Sequence, residues 1–350
     1  MRKNWWKVLG VVILLYTYTA GLLIPLKPGI LNVYPSNLEV GSQVVLEVNG
    51  YNTFFTKAKS KTRSWIKLDN EHAILAEKVE LESDTKAKIF FTIPPNLPTD
   101  DLVTDASIVI DNDYDGAIVL PSMLTIKQSI DVAGNAEGWK NDPIKDLNRK
   151  SGINFPFRGI LYETIRNTYF HVCMWFAMII LLIASVVHSF KYLRNSSMVD
   201  DQKSMSFTMV GTLFGILGII TGSIWAKDTW GTYWTWEEVK LNMTAIALLI
   251  YLAYFVLRGS FDDYEKRARI AAVFNIFAFA ALVPLIFVIP RLTDSLHPGS
   301  GGNPAMGGED LDNTMRMVFY PAIIGWTLMG VWISQIVFRI TNLKEKIMEI

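Results

Sequence analysis

The chain has one cysteine, Cys173, and only four histidines. A lone thiol cannot close an intrachain disulfide, and it excludes both a zinc site built on cysteine pairs and a CxxC redox couple. Cys173 lies in an uncharged run and reads as a small apolar residue inside a helix. Charge of one sign is also lacking: lysine plus arginine equals aspartate plus glutamate at 33 each. No global field is available to attract an anionic substrate, and no nucleic-acid partner is expected. Charges are missing altogether from several long stretches. With 350 residues, 51% of them apolar, and a positive mean hydropathy, the chain is divided between membrane and water.

Met1 to Lys7 carry Arg2, Lys3 and Lys7 ahead of an uncharged run over residues 8–26. No small-x-small cleavage site follows, and the run is long enough for a hydrocarbon core of about 30 Å, so residues 1–26 are predicted to be a retained first transmembrane helix. Residues 168–190, 204–226, 241–257, 270–290 and 317–338 are likewise free of acidic and basic side chains, which gives six spans and a polytopic, α-helical membrane protein. Pro284 is expected to kink the fifth. The basic residues of the short loops (Lys191, Arg194, Lys203; Arg258, Lys266, Arg267, Arg269; Arg339, Lys344, Lys346) fall on the same side as the N-terminal ones. The positive-inside rule then puts both termini in the cytoplasm, with residues 341–350 as a tail, in an inner (cytoplasmic) membrane.

Between the first two spans the pattern changes. Residues 27–127 alternate at Val44/Leu46/Val48, Ile89/Phe91/Ile93, Ile108/Ile110 and Ile118/Leu120, with turn signals at Asn49-Gly50, Pro94-Pro95 and Asp115-Gly116. Period-two runs between turns predict an inserted all-β, immunoglobulin-like sandwich on the outer side. Within it, residues 111–116 begin like a calcium loop, but the twelfth position is Ser122 instead of a bidentate glutamate, so an acidic hairpin turn is expected. Residues 128–154 read as a linker and 155–167 as an amphipathic interfacial segment leading into a five-helix membrane domain over 168–340.

Four of the eleven tryptophans, Trp225, Trp230, Trp234 and Trp236, crowd beside Tyr233 in the stretch 225–240, read as an outer loop. They form either an aromatic belt at the membrane interface or a platform for a flat ligand, and Gly231 would let the backbone approach such a ligand. The histidines can be weighed one by one. His171 starts the second span and His297 lies in the last outer loop, both on the tryptophan side. His188 is 17 residues beyond His171 in sequence, about 25 Å along a helix, and cannot share an iron with it. His72 reads as a solvated loop residue. Singly, His171 is explained as a polar group at a helix end and His297 as a loop histidine before Pro298. Together, two neutral imidazoles can supply both axial ligands of a haem while indoles hold the macrocycle. The candidate cofactor-binding residues are therefore Trp225, Trp230, Gly231, Tyr233, Trp234, Trp236, Glu237 and Arg166, with His171 and His297 on the metal. Arg166, Lys227, Arg291 and Arg316 are the outer-side cations available to haem propionates.

The string WGTYWTWE resembles the W-G-x-x-W-x-W-D signature of haem-handling membrane proteins, with Glu237 at the position of the aspartate. With the approach TGSIWAKD from Thr221 and the order of histidine, tryptophan stretch and second histidine, the chain resembles the heme exporter protein C family of system I cytochrome c maturation. The resemblance covers roughly residues 1–26 and 160–345 and implies His171 and His297 as ligands of a non-covalent, transient haem b facing Trp230, Gly231, Trp234 and Trp236. It implies handling of haem without catalysis. The implied partners are a haem chaperone, ATP-binding-cassette transporter subunits, a small single-helix subunit and membrane lipid. The β-insertion is not part of that pattern. Two alternatives stay open: a system II cytochrome c synthetase, an enzyme that shares the motif but generally has more spans, and a membrane-anchored adhesion or sensor module led by the β-domain. A respiratory b-type cytochrome is disfavoured, because paired histidines within the spans are lacking.

Overall fold

The computed structural model describes residues 4–128, 138–139, 144–159, 161–293, 295, 297 and 311–348. Arg2 and Lys3, about half of the stretch read as a linker, most of the last outer loop and the last two residues of the tail lie outside the described residues. The chain forms two compact units, Pro25–Tyr162 and a second built from Met1–Ile24 with Glu163–Ile350.

The first unit is all-β. Its strands are β1 (Gly29–Tyr34), β2 (Asn37–Glu39), β3 (Gln43–Tyr51), β4 (Arg63–Lys67), β5 (Ala73–Leu75), β6 (Lys78–Leu81), β7 (Lys86–Thr92), β8 (Val103–Asn112) and β9 (Gly116–Lys127). They form a sheet of order β1-β3-β7-β6 and another of order β2-β9-β8-β4-β5. Alternation sets the register. Leu46 faces Ile89 and Val48 faces Ala87 in one sheet, while Ile66 faces Ile108 in the other, and these side chains are buried together between the sheets. The stretch read as linker and interfacial segment contributes Trp139 and Phe155 to this unit. Both are fully buried, the Trp139 indole donates to the Asn96 carbonyl at 2.7 Å, and Phe155 bridges Leu26.

Residues 111–116 form the β8–β9 hairpin turn. The Asp115 carboxylate accepts from the Phe54 amide at 3.0 Å and Asp113 from the Lys59 amide at 3.0 Å. Protein donors therefore take up the acidic charge. His72 pairs with Asp69 at a turn, Nδ1 to Oδ2 at 2.8 Å.

The second unit is a bundle of α1 (Trp5–Leu23), α2 (His171–Asn195), α3 (Met198–Trp230), α4 (Val239–Gly259), α5 (Tyr264–Val283) and α6 (Asn313–Met348). Among the described residues six helical segments are long and apolar enough to cross a membrane. The protein is a polytopic membrane protein with an inserted β-domain. The helices outrun the uncharged stretches because backbone hydrogen bonding continues into polar ends that water and headgroups can solvate. α3, at 33 residues, spans about 50 Å.

At Pro284 the expected kink takes the form of a widened turn. Proline has no N–H to donate back along the helix, so α5 stops at Val283, a π-helical turn covers Pro284–Val288, and a short 3-10 turn follows over Ile289–Arg291. Cys173 is buried in α2, its Sγ 3.7 Å from the Phe319 carbonyl.

One cluster of polar groups inside the bundle is satisfied by its own members. The Asn275 amide donates to Ser185 Oγ at 2.7 Å and Ser189 Oγ at 2.9 Å, and Ser185 Oγ donates to the Ser204 carbonyl at 2.8 Å. These bonds tie α2, α3 and α5 together where an unpaired polar atom would be costly. His188, far down α2, binds Asp200 at 2.7 Å and stacks on Phe207.

Candidate functional site

The site begins with a close approach of α2 to α3. The sequence GILGIITG puts Gly218 and Gly222 one turn apart on α3, and both face α2. An added Cβ at Gly218 would lie 2.7 Å from the Trp175 ring, and one at Gly222 would lie 2.6 Å from Cε1 of His171. The imidazole thus occupies the space that any larger residue at 222 would fill. Its Nδ1 lies 2.9 Å from the Gly218 carbonyl and 3.3 Å from Thr221 Oγ1. A hydrogen bond from Nδ1–H to a backbone carbonyl selects the tautomer that leaves Nε2 with its lone pair, which is the way ligating histidines are usually braced.

α3 ends one residue after Asp228-Thr229. Gly231 closes the helix with a left-handed backbone, φ 79°, its amide donating to the Lys227 carbonyl at 3.1 Å. That conformation favours glycine. Gly231 is therefore first a helix stop, and the space around it is open. It also divides the tryptophans. Trp225 and Trp230 stand on the last turns of α3, while Trp234 and Trp236 follow in the connection to α4.

The structure brings Trp225, Trp230, His297 and His171 into one group. Ring centres are 5.1 Å apart for Trp225 and Trp230, 5.4 Å for Trp225 and His297, and 5.5 Å for Trp230 and His297. His171 and His297 are 6.4 Å apart at 44°. Burial among these rings pushes the pKa of His297 down to about 3, with Lys240 and His171 adding to the effect, so this imidazole is neutral at physiological pH and has a lone pair to offer.

Trp234 and Trp236 make a separate edge-to-face pair at 5.7 Å. Trp236 is 76% exposed and Tyr233 59% exposed, whereas the Trp234 Nε1 is buried and has no acceptor among the described residues. The connection is held by its own side chains: Asn242 donates to the Trp236 carbonyl at 2.6 Å and Thr232 to the Trp234 carbonyl at 2.9 Å.

The cations and acids of the region have different surroundings. α2 begins at His171, after a 3-10 turn over Tyr162–Tyr169 that carries Arg166. The Arg166 guanidinium, however, donates to the carbonyls of Gly21 at 2.8 Å and Ile24 at 2.7 Å and pairs with Glu163, where it caps the C-terminal end of α1. Lys227 donates to the Gly231 carbonyl at 2.9 Å. Glu237 is exposed. The next residue, Glu238, is buried at 2% and caps the start of α4 by accepting from the Lys240 amide at 3.1 Å. Ser295 Oγ donates to the same carboxylate at 2.6 Å. Sequence reasoning missed Glu238, Ser295, Gly218 and Gly222; for the glycines a signal existed in their spacing of four on an apolar helix.

A six-helix membrane bundle that packs two imidazoles against helix-terminal indoles, with an all-β insertion after its first helix, is a polytopic membrane protein with a tryptophan-lined site. The family profile described as Heme exporter protein C matches residues 160–349, more than half of the chain and all of α2 to α6. The chain belongs to the Heme exporter protein C family. It is 27% identical to Heme exporter protein C of Bradyrhizobium diazoefficiens over 189 residues, 54% of this chain and 68% of the relative. It is 27% identical to that of Haemophilus influenzae over 136 residues, 39% and 54% of the two chains. With the protein of Escherichia coli strain K12 it shares 28% over 134 residues, 38% and 51%. The aligned part thus spans about half the length of the last two relatives.

Proposed function

We propose that this protein holds haem b, non-covalently and transiently, at the outer face of an inner membrane and presents it to a haem chaperone during cytochrome c maturation. His171 and His297 serve as the two axial ligands, with Trp225, Trp230, Trp234 and Trp236 against the macrocycle. Family membership supports a haem-handling role, and one observation carries the site: the 6.4 Å between the two imidazole centres. Two imidazoles sharing one iron, each at a bond of about 2 Å, have centres roughly 6 Å apart. The bracing of His171 by Gly218 and the neutral state of His297 fit the same role. Haem is the cargo, so the residues bind, orient and release it without making or breaking a covalent bond. On this reading the protein is not an enzyme. Its partners are a haem chaperone, ATP-binding-cassette transporter subunits and a small single-helix subunit, with both termini in the cytoplasm. The buried Trp234 N–H offers a hydrogen-bond donor to an acceptor on the cargo. Arg166, engaged with α1, is left out of the haem set.

The test is an optical spectrum of the full chain purified after expression with ample haem. The wild type is expected to carry a six-coordinate haem spectrum. His171→Ala and His297→Ala should each abolish or shift it, and His188→Ala should leave it unchanged. Equal effects from all three, or a colourless wild type, would overturn the assignment.

A further inference from the structure

We infer that Glu238 and Ser295 form a latch that positions His297, so that the second imidazole is carried by the entrance of α4. The inference rests on the reading of His297 as a ligand. His297 stands on a connection far in sequence from the helices that carry the tryptophans, and an imidazole on a free loop would lose much of its binding energy to ordering. The structure shows what orders it. The backbone N–H of His297 donates to Ser295 Oγ at 3.1 Å, and that hydroxyl donates to Oε1 of Glu238 at 2.6 Å. Glu238 is fixed in turn. It is buried at 2%, begins α4, and accepts the Lys240 amide on the same oxygen at 3.1 Å. A hydroxyl that donates to a buried carboxylate makes a short, charge-assisted bond, and its lone pairs remain directed at the next donor. The chain of bonds runs one way, from the His297 amide through Ser295 to Glu238, and ends at a helix that starts just after Trp236. The second ligand and the indole connection are therefore referenced to one point. It follows that the acid with the positioning role is Glu238.

The experiment compares Ser295→Ala, Ser295→Thr and Glu238→Asp in the full-length, haem-loaded protein by absorption spectroscopy and by the rate of haem transfer to excess apomyoglobin. Aspartate still caps a helix but is one methylene shorter, so Glu238→Asp keeps the start of α4 while withdrawing from Ser295. Ser295→Ala removes only the hydroxyl, which keeps the question open should Glu238→Asp fold poorly. Both are expected to shift the spectrum from six- towards five-coordinate and to speed haem loss about tenfold. Ser295→Thr should match the wild type, and added imidazole should restore the six-coordinate spectrum of the latch variants. Wild-type spectra and rates for both Ser295→Ala and Glu238→Asp, alongside a shifted spectrum for His297→Ala, would overturn the latch alone. An unchanged spectrum for His297→Ala would instead overturn the ligand assignment beneath it.

Discussion

Gly222→Ala is expected to strip the protein of haem while leaving it folded. A Cβ at 222 would stand 2.6 Å from Cε1 and 3.1 Å from Nδ1 of His171, closer than packed carbon atoms approach. The ring cannot yield in place, because Nδ1 is held 2.9 Å from the Gly218 carbonyl, so it must swing out of that hydrogen bond. Forcing a side chain off its position in a packed interior costs about 1–3 kcal/mol. Replacing a mid-helix glycine by alanine returns about 1 kcal/mol of helix propensity, and the net change in stability is small. The ligand has no such compensation. Once its brace is lost, haem affinity is expected to fall at least tenfold, since each 1.4 kcal/mol is a factor of ten. The check is haem titration of purified Gly222→Ala beside thermal unfolding of the same sample. Gly259→Ala serves as the control, because a Cβ there meets nothing within 4 Å. Haem affinity equal to wild type for Gly222→Ala would mean that the His171 ring is not held against α3.

That residue shows where the sequence is readable and where it is not. Six uncharged runs and period-two alternation are local patterns, and each translates directly into a helix or a strand because its apolar side chains must be removed from water. The tryptophan string and the two histidines are legible as a set. Their meeting is not, since His171 and His297 are brought to 6.4 Å only by the packing of α2 on α3 and by the latch through Glu238. Glycine spacing can be seen in the string GILGIITG, but nothing there says that the partner across the interface is an imidazole. The two adjacent glutamates are a sharper case. Their formulas are the same, and burial separates them: Glu238 opens α4 and turns inward, while Glu237 stays in water. Arg166 is read from the sequence as one of the outer-side cations, and the sequence does not show that its guanidinium donates to the Gly21 and Ile24 carbonyls at the end of α1. Trp225 and Trp230 belong to a helix that continues past the uncharged run, since Lys227 and Asp228 end a hydrophobic pattern without ending backbone hydrogen bonding.

Arg258→Met is expected to destabilise the bundle by about 3–5 kcal/mol, the usual result of stranding one half of a buried ion pair. Asp201, in the first turn of α3, and Arg258, in the last turn of α4, form a two-pronged pair at the end of the bundle opposite the tryptophans. Nη1 donates to Oδ1 at 2.7 Å, Nη2 donates to Oδ2, and the side chains are only 10% and 3% exposed. The pair joins the two legs of the helical hairpin whose connection carries Trp234 and Trp236. Removing the guanidinium leaves a carboxylate in a low-dielectric setting with its principal counter-charge gone. Removing both charges costs far less, because a buried pair has already given up hydration nearly equal to what its attraction returns. The double variant Asp201→Leu/Arg258→Met should therefore recover most of the loss, a coupling that single substitutions at independent sites would not show. Thermal unfolding in detergent is the measurement. The single variant should melt on the order of 10 °C below wild type, with the double variant within a few degrees of it. Additive losses in the double variant would mean that the two charges act separately, and that the α3–α4 hairpin is held by its apolar contacts alone.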